Sequence, residues 1–234
     1  MKSWIEYWDG DHPIYVNARH MALHYRGIAR DLAGLVPDGD ARVLDYGCGE
    51  AQAADQLALA CRKLTLCDAA PTIRAKLSAR FVENRKIAVA SPEEIATLLE
   101  GSFDLIVLHS IAQYIPKPDF ARLIVDLADK LSPGGRIVVG DILPPDLSAL
   151  TDAMALVRFG FEGGFLIAAI MGLVRTALSD YRKIRSELGL TQYDAAEMLD
   201  LIEKAGLTAR RLEHNPGHNQ ARMAFLGLKT APMA

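Results

Sequence analysis

The chain has 234 residues, half of them hydrophobic and 24% charged, with a formal net charge of −3 from 26 basic and 29 acidic side chains. That balance describes an ordinary globular protein near the upper size of one domain, and it offers no large basic field for holding a nucleic-acid backbone. Its three cysteines, Cys48, Cys61 and Cys67, have neither CxxC nor Cys/His spacing, which argues against a disulfide framework or structural zinc and for a reducing, cytoplasmic setting.

The opening MKSWIEYWDGDHPIY lacks the apolar core of a secretory signal, and the longest apolar run, GGFLIAAIMGLV at 163–174, is shorter than the ~18 to 20 residues that span a bilayer. Residues 1–40 read as a helical leading segment. Within them His20 and His24 stand four apart on one helix, a metal-binding spacing, but no acid or cysteine cluster accompanies them and no metal is expected.

From residue 41 short β-type runs alternate with helical patterns: RVLDY (42–46), KLTLCD (63–68), KIAVA (86–90), FDLIVLHS (103–110) and RIVVGDI (136–142). Leu123, Leu127 and Leu131 mark an amphipathic helix, and the Pro-Gly-Gly after it returns the chain to the next strand. A helical insertion follows over 144–190. Its apolar centre and its basic residues Arg175, Arg182, Lys183 and Arg185 fit a lid over an apolar substrate pocket, a homodimer contact or peripheral contact with a membrane, with Gly160, Gly163, Gly164 and Gly172 as bending points. A helix ending at Gly206 leads to TARRLE and ARMAFLGLK, whose short connection HNPGHNQ predicts an antiparallel pair.

The expected fold is α/β: a Rossmann-like, doubly wound, mostly parallel seven-stranded sheet with an antiparallel last strand and a helical insertion after strand 5, all in one domain over 1–234. If TARRLE runs parallel to the core strands, HNPGHNQ lies over their carboxyl edge. His214, His218 and Asn219 are then candidates to orient a substrate, against the simpler reading of a plain chain reversal.

The first strand runs into VLDYGCGEAQ. A dinucleotide turn wants G-x-G-x-x-G, but Gln52 occupies the third glycine position, and Asp45 and Glu50 place carboxylates where a pyrophosphate would be repelled. S-adenosylmethionine, with a sulfonium, an ammonium and no phosphate, suits those charges. The segment Asp45-Tyr46-Gly47-Cys48-Gly49-Glu50-Ala51 resembles the first motif of the class I S-adenosylmethionine-dependent methyltransferases, an acid followed by G-x-G-x-G, with Ala51 in place of the last glycine. VASPEEI, FDLIVLHSIAQYI and LSPGGRIVVGD continue the resemblance, so that ordered matches run from Val43 to Asp141.

The resemblance implies that Asp45 holds the methionine ammonium, while Gly47, Cys48 and Gly49 let the backbone approach the cofactor. Asp68 would bind the ribose hydroxyls, with Ala69, Ser91, Pro92 and Glu93 near the adenine. Tyr15 or Arg19 would close the pocket, and Arg19 would pair with the methionine carboxylate. His109 and Ser110 lie at the strand edge where such sheets bind ligands, and Tyr114 walls the pocket; His109 is either a general base or a histidine satisfied by local backbone. The implied activity is methyl transfer to an oxygen, nitrogen or carbon of a small or partly apolar acceptor. An NAD(P)-dependent oxidoreductase on a related fold and a non-catalytic S-adenosylmethionine-binding protein are the alternatives.

Overall fold

The computed structural model describes residues 4–9, 15–177 and 189–231. Two helices, α1 (Trp4–Trp8) and α2 (Ala18–Ala33), precede the first strand. The chain then alternates β1 (Arg42–Tyr46), α3 (Ala54–Leu59), β2 (Lys63–Cys67), α4 (Pro71–Arg80), β3 (Ile87–Ala90), α5 (Pro92–Ala96), β4 (Phe103–His109), a 3₁₀ turn (Ala112–Tyr114), α6 (Lys117–Lys130) and β5 (Leu131–Ile142). A hairpin of α7 (Ala149–Glu162) and α8 (Leu166–Ala177) is followed by α9 (Ala195–Lys204), β6 (Thr208–Arg211) and β7 (Met223–Leu228).

The seven strands lie in the order β3-β2-β1-β4-β5-β7-β6, parallel except for β7, which is antiparallel to both neighbours. This is the doubly wound arrangement expected from the alternation. Helices cover both faces, so the strands carry almost unbroken apolar runs whose successive residues point to opposite cores. Leu44, Ile106, Leu108, Ile137 and Val139 face Phe120, Ile124 and Ile202 of α6 and α9. Val43, Leu105, Val107 and Val138 belong to the other core, with Ala29 and Leu32 of α2, Leu57 of α3 and Leu77 of α4.

Two sequence expectations are corrected. The fifth strand begins at Leu131 rather than Arg136, because Pro-Gly-Gly forms an irregularity inside it and does more than stop α6. The pairing with β4 jumps from Phe103↔Leu131 to Leu105↔Arg136, and Gly134, at φ +76°, and Gly135 bond Lys229 instead. Gly160 and Gly172 are not bends. Gly160 sits inside α7, where a Cβ would come within 2.8 Å of Ala169, and Gly172 sits inside α8 against Val16; the missing side chains let the elements close. The turn between the two helices is Gly163-Gly164, with Gly164 at φ +70°. Arg182, Lys183 and Arg185 lie outside the described residues. Among those described, no helix is long and apolar enough to cross a membrane.

Candidate active site

The glycine turn leaves β1 through a run of left-handed backbone: Gly47 at φ +77°, Gly49 at +55° and Ala51 at +41°. A side chain on Gly47 would collide with Ile111 as well as strain the backbone. Ala51 adopts the conformation that the family motif reserves for glycine, at a cost of about 1 kcal/mol. Amides of Gly47 and Cys48 donate to the Cys67 carbonyl at 2.7 and 3.0 Å, which ties the turn to the end of β2. Asp68, the next residue, accepts from the Gly49 amide at 2.9 Å through Oδ2 and from Ala70 at 2.9 Å through Oδ1. Arg74 donates to the carbonyls of Asp68 and Ala69.

Among the described residues no cation pairs with Asp45. Burial and then the neighbouring Asp68 carboxylate push its carboxyl up to about 7. Burial, with the same two acids, raises the Cys48 thiol well above its ordinary range, so the thiol stays protonated and is no nucleophile. An electronegative turn with an uncompensated acid fits a cationic ligand and opposes a pyrophosphate.

A pH dependence follows. A ligand ammonium needs Asp45 ionised, so binding releases the proton held below about pH 7. Calorimetry should find S-adenosylhomocysteine affinity rising about tenfold from pH 6 to 8, and Asp45→Asn should bind weakly at both. In the ligand-free protein the sign is opposite. The folded state keeps the proton that the unfolded chain loses near pH 4, so this group's contribution to stability is full below that pH and is lost as pH rises through about 7.

Ser91 is buried and accepts the Glu94 amide while Glu94 accepts the Ser91 amide, a capping box that starts α5 with Pro92 in its first turn; Glu93 is exposed.

At the carboxyl ends of β4 and β5, Ser110 and Asp141 hold left-handed φ values of +62° and +59°, strained positions that concentrate at functional sites. His109 Nε2 lies 3.0 Å from the Pro216 carbonyl, which can only accept, so the proton resides on Nε2. Nδ1 lies 3.0 Å from Ser110 Oγ, itself 2.8 Å from Asp141 Oδ2. Asn215 accepts the Asp141 amide at 2.8 Å. The HNPGHNQ loop therefore does lie over the carboxyl edge, since β6 is parallel to the core strands and β7 returns from the same end. Gly140 makes room for the His109 ring, 2.8 Å from where its Cβ would stand.

Helix α2 and the α7–α8 hairpin enclose this edge with rings. His20 stacks on Phe165 at 5.1 Å between centroids, and His218 on Phe159 at 4.2 Å. His24 lies 5.6 Å from His218 and 6.1 Å from His20. Tyr15 packs on His20, His24 and Tyr25, and Tyr25 places its hydroxyl 3.6 Å from where a Gly49 side chain would begin. Burial first, then the charge of His218, lowers His20 to about 4 and His24 well below its usual value; burial also lowers His218. The three rings are neutral at neutral pH. No group of three or more His, Cys, Asp or Glu among the described residues is arranged to hold a metal.

Of the remaining candidates, Arg19 is exposed and donates to the Gly163 carbonyl at 2.5 Å, fastening α2 to the hairpin turn. Tyr114 packs on Trp4 at 4.8 Å, and His214 is exposed. Sequence reasoning missed Tyr25, Asp141, Phe165 and the Asp152–Arg222 pair. Asp141 was findable as a strand-end acid like Asp45; the others carry no local signal.

The sequence pattern of a methyltransferase domain family matches residues 44–139. The ubiquinone biosynthesis O-methyltransferase of Xanthomonas euvesicatoria is 26% identical over 226 residues, covering 93% of this chain and 83% of that protein. The tRNA 5-carboxymethoxyuridine methyltransferase of Escherichia coli K12 is 30% identical over 119 residues, 49% of this chain and 44% of that protein. Among solved structures, magnesium protoporphyrin IX methyltransferase of Synechocystis, with bound S-adenosylhomocysteine, superposes with a TM-score of 0.60 at 16% identity, over 96% of this chain and 92% of that one. These likenesses join a seven-stranded fold to an acid-flanked glycine turn and set the oxidoreductase alternative aside: the chain belongs to the class I S-adenosylmethionine-dependent methyltransferases and is an enzyme with S-adenosylmethionine as its cofactor.

Proposed function

We propose that the enzyme methylates a hydroxyl group on a small aromatic acceptor that also has an apolar portion. The observation that carries this reading is the ring cluster of Tyr15, His20, His24, Phe159, Phe165 and His218, set between the glycine turn and the hairpin. Such a surface favours a planar ring by offset or edge-to-face contact, and its polar edges suit a hydroxyl. The O-methyltransferase relative supports oxygen as the accepting atom. The net charge of −3 favours a small molecule over RNA.

In this reading Asp45 holds the cofactor ammonium, Asp68 the ribose hydroxyls, and the amides of Gly47, Cys48 and Gly49 border the ligand. Ala69, Ser91, Pro92 and Glu93 flank the adenine. Ser110 and Tyr114 line the reacting end, with His109 pinning the 214–220 loop. The bound cofactor supplies a methyl group on a positively charged sulfur. The chain aligns the acceptor and excludes water. Residues 1–234 form one domain in which 1–40 is a cover, with Tyr15 and Arg19 at its edge, and 144–190 is a lid.

Labelled methyl transfer to phenols, catechols, anilines and bulk tRNA tests the proposal. Methyl ethers on a phenol or catechol are expected; transfer confined to amines or tRNA would overturn it.

A further inference from the structure

Two neighbouring histidines carry nitrogen atoms that the fold leaves unused. Nδ1 of His24 and Nδ1 of His218 are shut off from solvent and have no hydrogen-bond partner among the described residues. Buried polar atoms are seldom left in that state, because an unpaired one loses its hydration without compensation. Here two occur on rings 5.6 Å apart. The other histidines of the site differ: Nδ1 of His20 accepts the Val16 amide at 3.3 Å, and each ring nitrogen of His109 has a polar oxygen 3.0 Å away. A ligand hydroxyl is a group that could satisfy both orphans, because it donates one hydrogen bond and accepts others.

We infer that His24 and His218 together receive the acceptor hydroxyl, with His24 taking its proton as the oxygen is methylated and His218 orienting it. This assignment rests on the hydroxyl acceptor proposed above. The division of labour follows from the surroundings. His218 is held flat against Phe159, with 10° between the rings, which fixes its plane. His24 stands beside Tyr25, 5.5 Å away, and so on the side of the glycine turn.

The groups facing His24 are Tyr15, His20 and Tyr25 from the N-terminal segment, His109 from β4 and His218 from the loop. Among the described residues none of these is a carboxylate that would hold an imidazolium there at rest, so the ring is free to accept. In the step itself the acceptor oxygen bonds the methyl carbon and the electron pair of the carbon–sulfur bond stays on sulfur. The hydroxyl proton moves to the Nδ1 lone pair of His24 and leaves to solvent with the product. A base this weak takes the proton only as bonding to the methyl group makes the oxygen strongly acidic.

Catechol and 4-nitrocatechol are the probes. With ¹⁵N-histidine protein and S-adenosylhomocysteine present, catechol should shift the Nδ1 resonance of His24; an unmoved resonance at saturating catechol overturns the inference without needing any variant. His24→Gln should lower kcat on catechol about 100-fold with S-adenosylhomocysteine affinity within about twofold of the parent. The loss should shrink on 4-nitrocatechol at pH 8, where the acceptor is already ionised. Equal loss on both acceptors would make His24 a packing residue only. If the parent enzyme methylates catechol and His24→Gln matches it, this inference alone fails; if the parent methylates amines but neither catechol, the hydroxyl reading has failed first.

Discussion

Replacing Asp68 with alanine is expected to weaken S-adenosylhomocysteine binding by about 10- to 150-fold in titration calorimetry, with the protein still folded. The carboxylate can make charge-assisted bonds to two ribose hydroxyls, whose loss corresponds to roughly 1.5 to 3 kcal/mol. A second effect acts in the same direction. Asp68 also holds the amides of Gly49 and Ala70, both at 2.9 Å, so its removal slackens the turn that should approach the cofactor. Asp68→Asn separates the two contributions, because its side-chain oxygen can still accept from one amide while the negative charge is gone. It should keep the turn and recover only part of the affinity. Parental affinity in a folded Asp68→Ala protein would remove this residue from the site.

The parts of this molecule legible in the sequence are those encoded locally. Period-2 and period-3.6 patterning placed β1 from Arg42 to Tyr46 without error, and the acids around Gly47 and Gly49 selected the kind of cofactor. The antiparallel β6–β7 pair followed from the shortness of HNPGHNQ, and its position over the strand edge followed from topology alone. What was not legible depends on partners far along the chain. Nothing near Arg222 announces that its guanidinium is nearly buried against Asp152, 70 residues earlier. Gly160 and Gly172 look like hinges in sequence and become close-packing positions only once Ala169 and Val16 are beside them. In the sequence His24 offers only half of a metal-binding spacing, because its relation to His218 exists only after the last loop returns to α2. The start of β5 is hidden for a different reason: Pro-Gly-Gly is a stop signal on average, and here the strand pairs with β4 both before and after it.

Asp152→Ala should release the hairpin from the body of the protein. Asp152, on α7, accepts two hydrogen bonds from Arg222, at 2.8 Å to Oδ2 and 3.2 Å to Oδ1, and a third from Asn219 at 2.9 Å. With the Arg222 and Asp152 side chains only 13% and 23% exposed, the pair sits largely out of water, where removing one partner leaves the other charge poorly solvated. A fully buried pair broken in this way costs about 3 to 5 kcal/mol. Asp141 also attracts Arg222 and remains, so about 2 to 3 kcal/mol is expected here, a fall in Tm of roughly 4 to 10 °C. The same bonds join α7 to the 214–222 region that carries His218, so amide exchange along α7 should accelerate. The affinity for S-adenosylhomocysteine should change little, since the glycine turn and Asp68 touch neither residue. Acceptor turnover should fall with the loss of closure. Exchange in α7 that is unchanged by the substitution but slows with protein concentration would identify the hairpin as a self-association surface, consistent with its exposed Met154, Phe161, Ile167 and Met171, and would remove it as a lid.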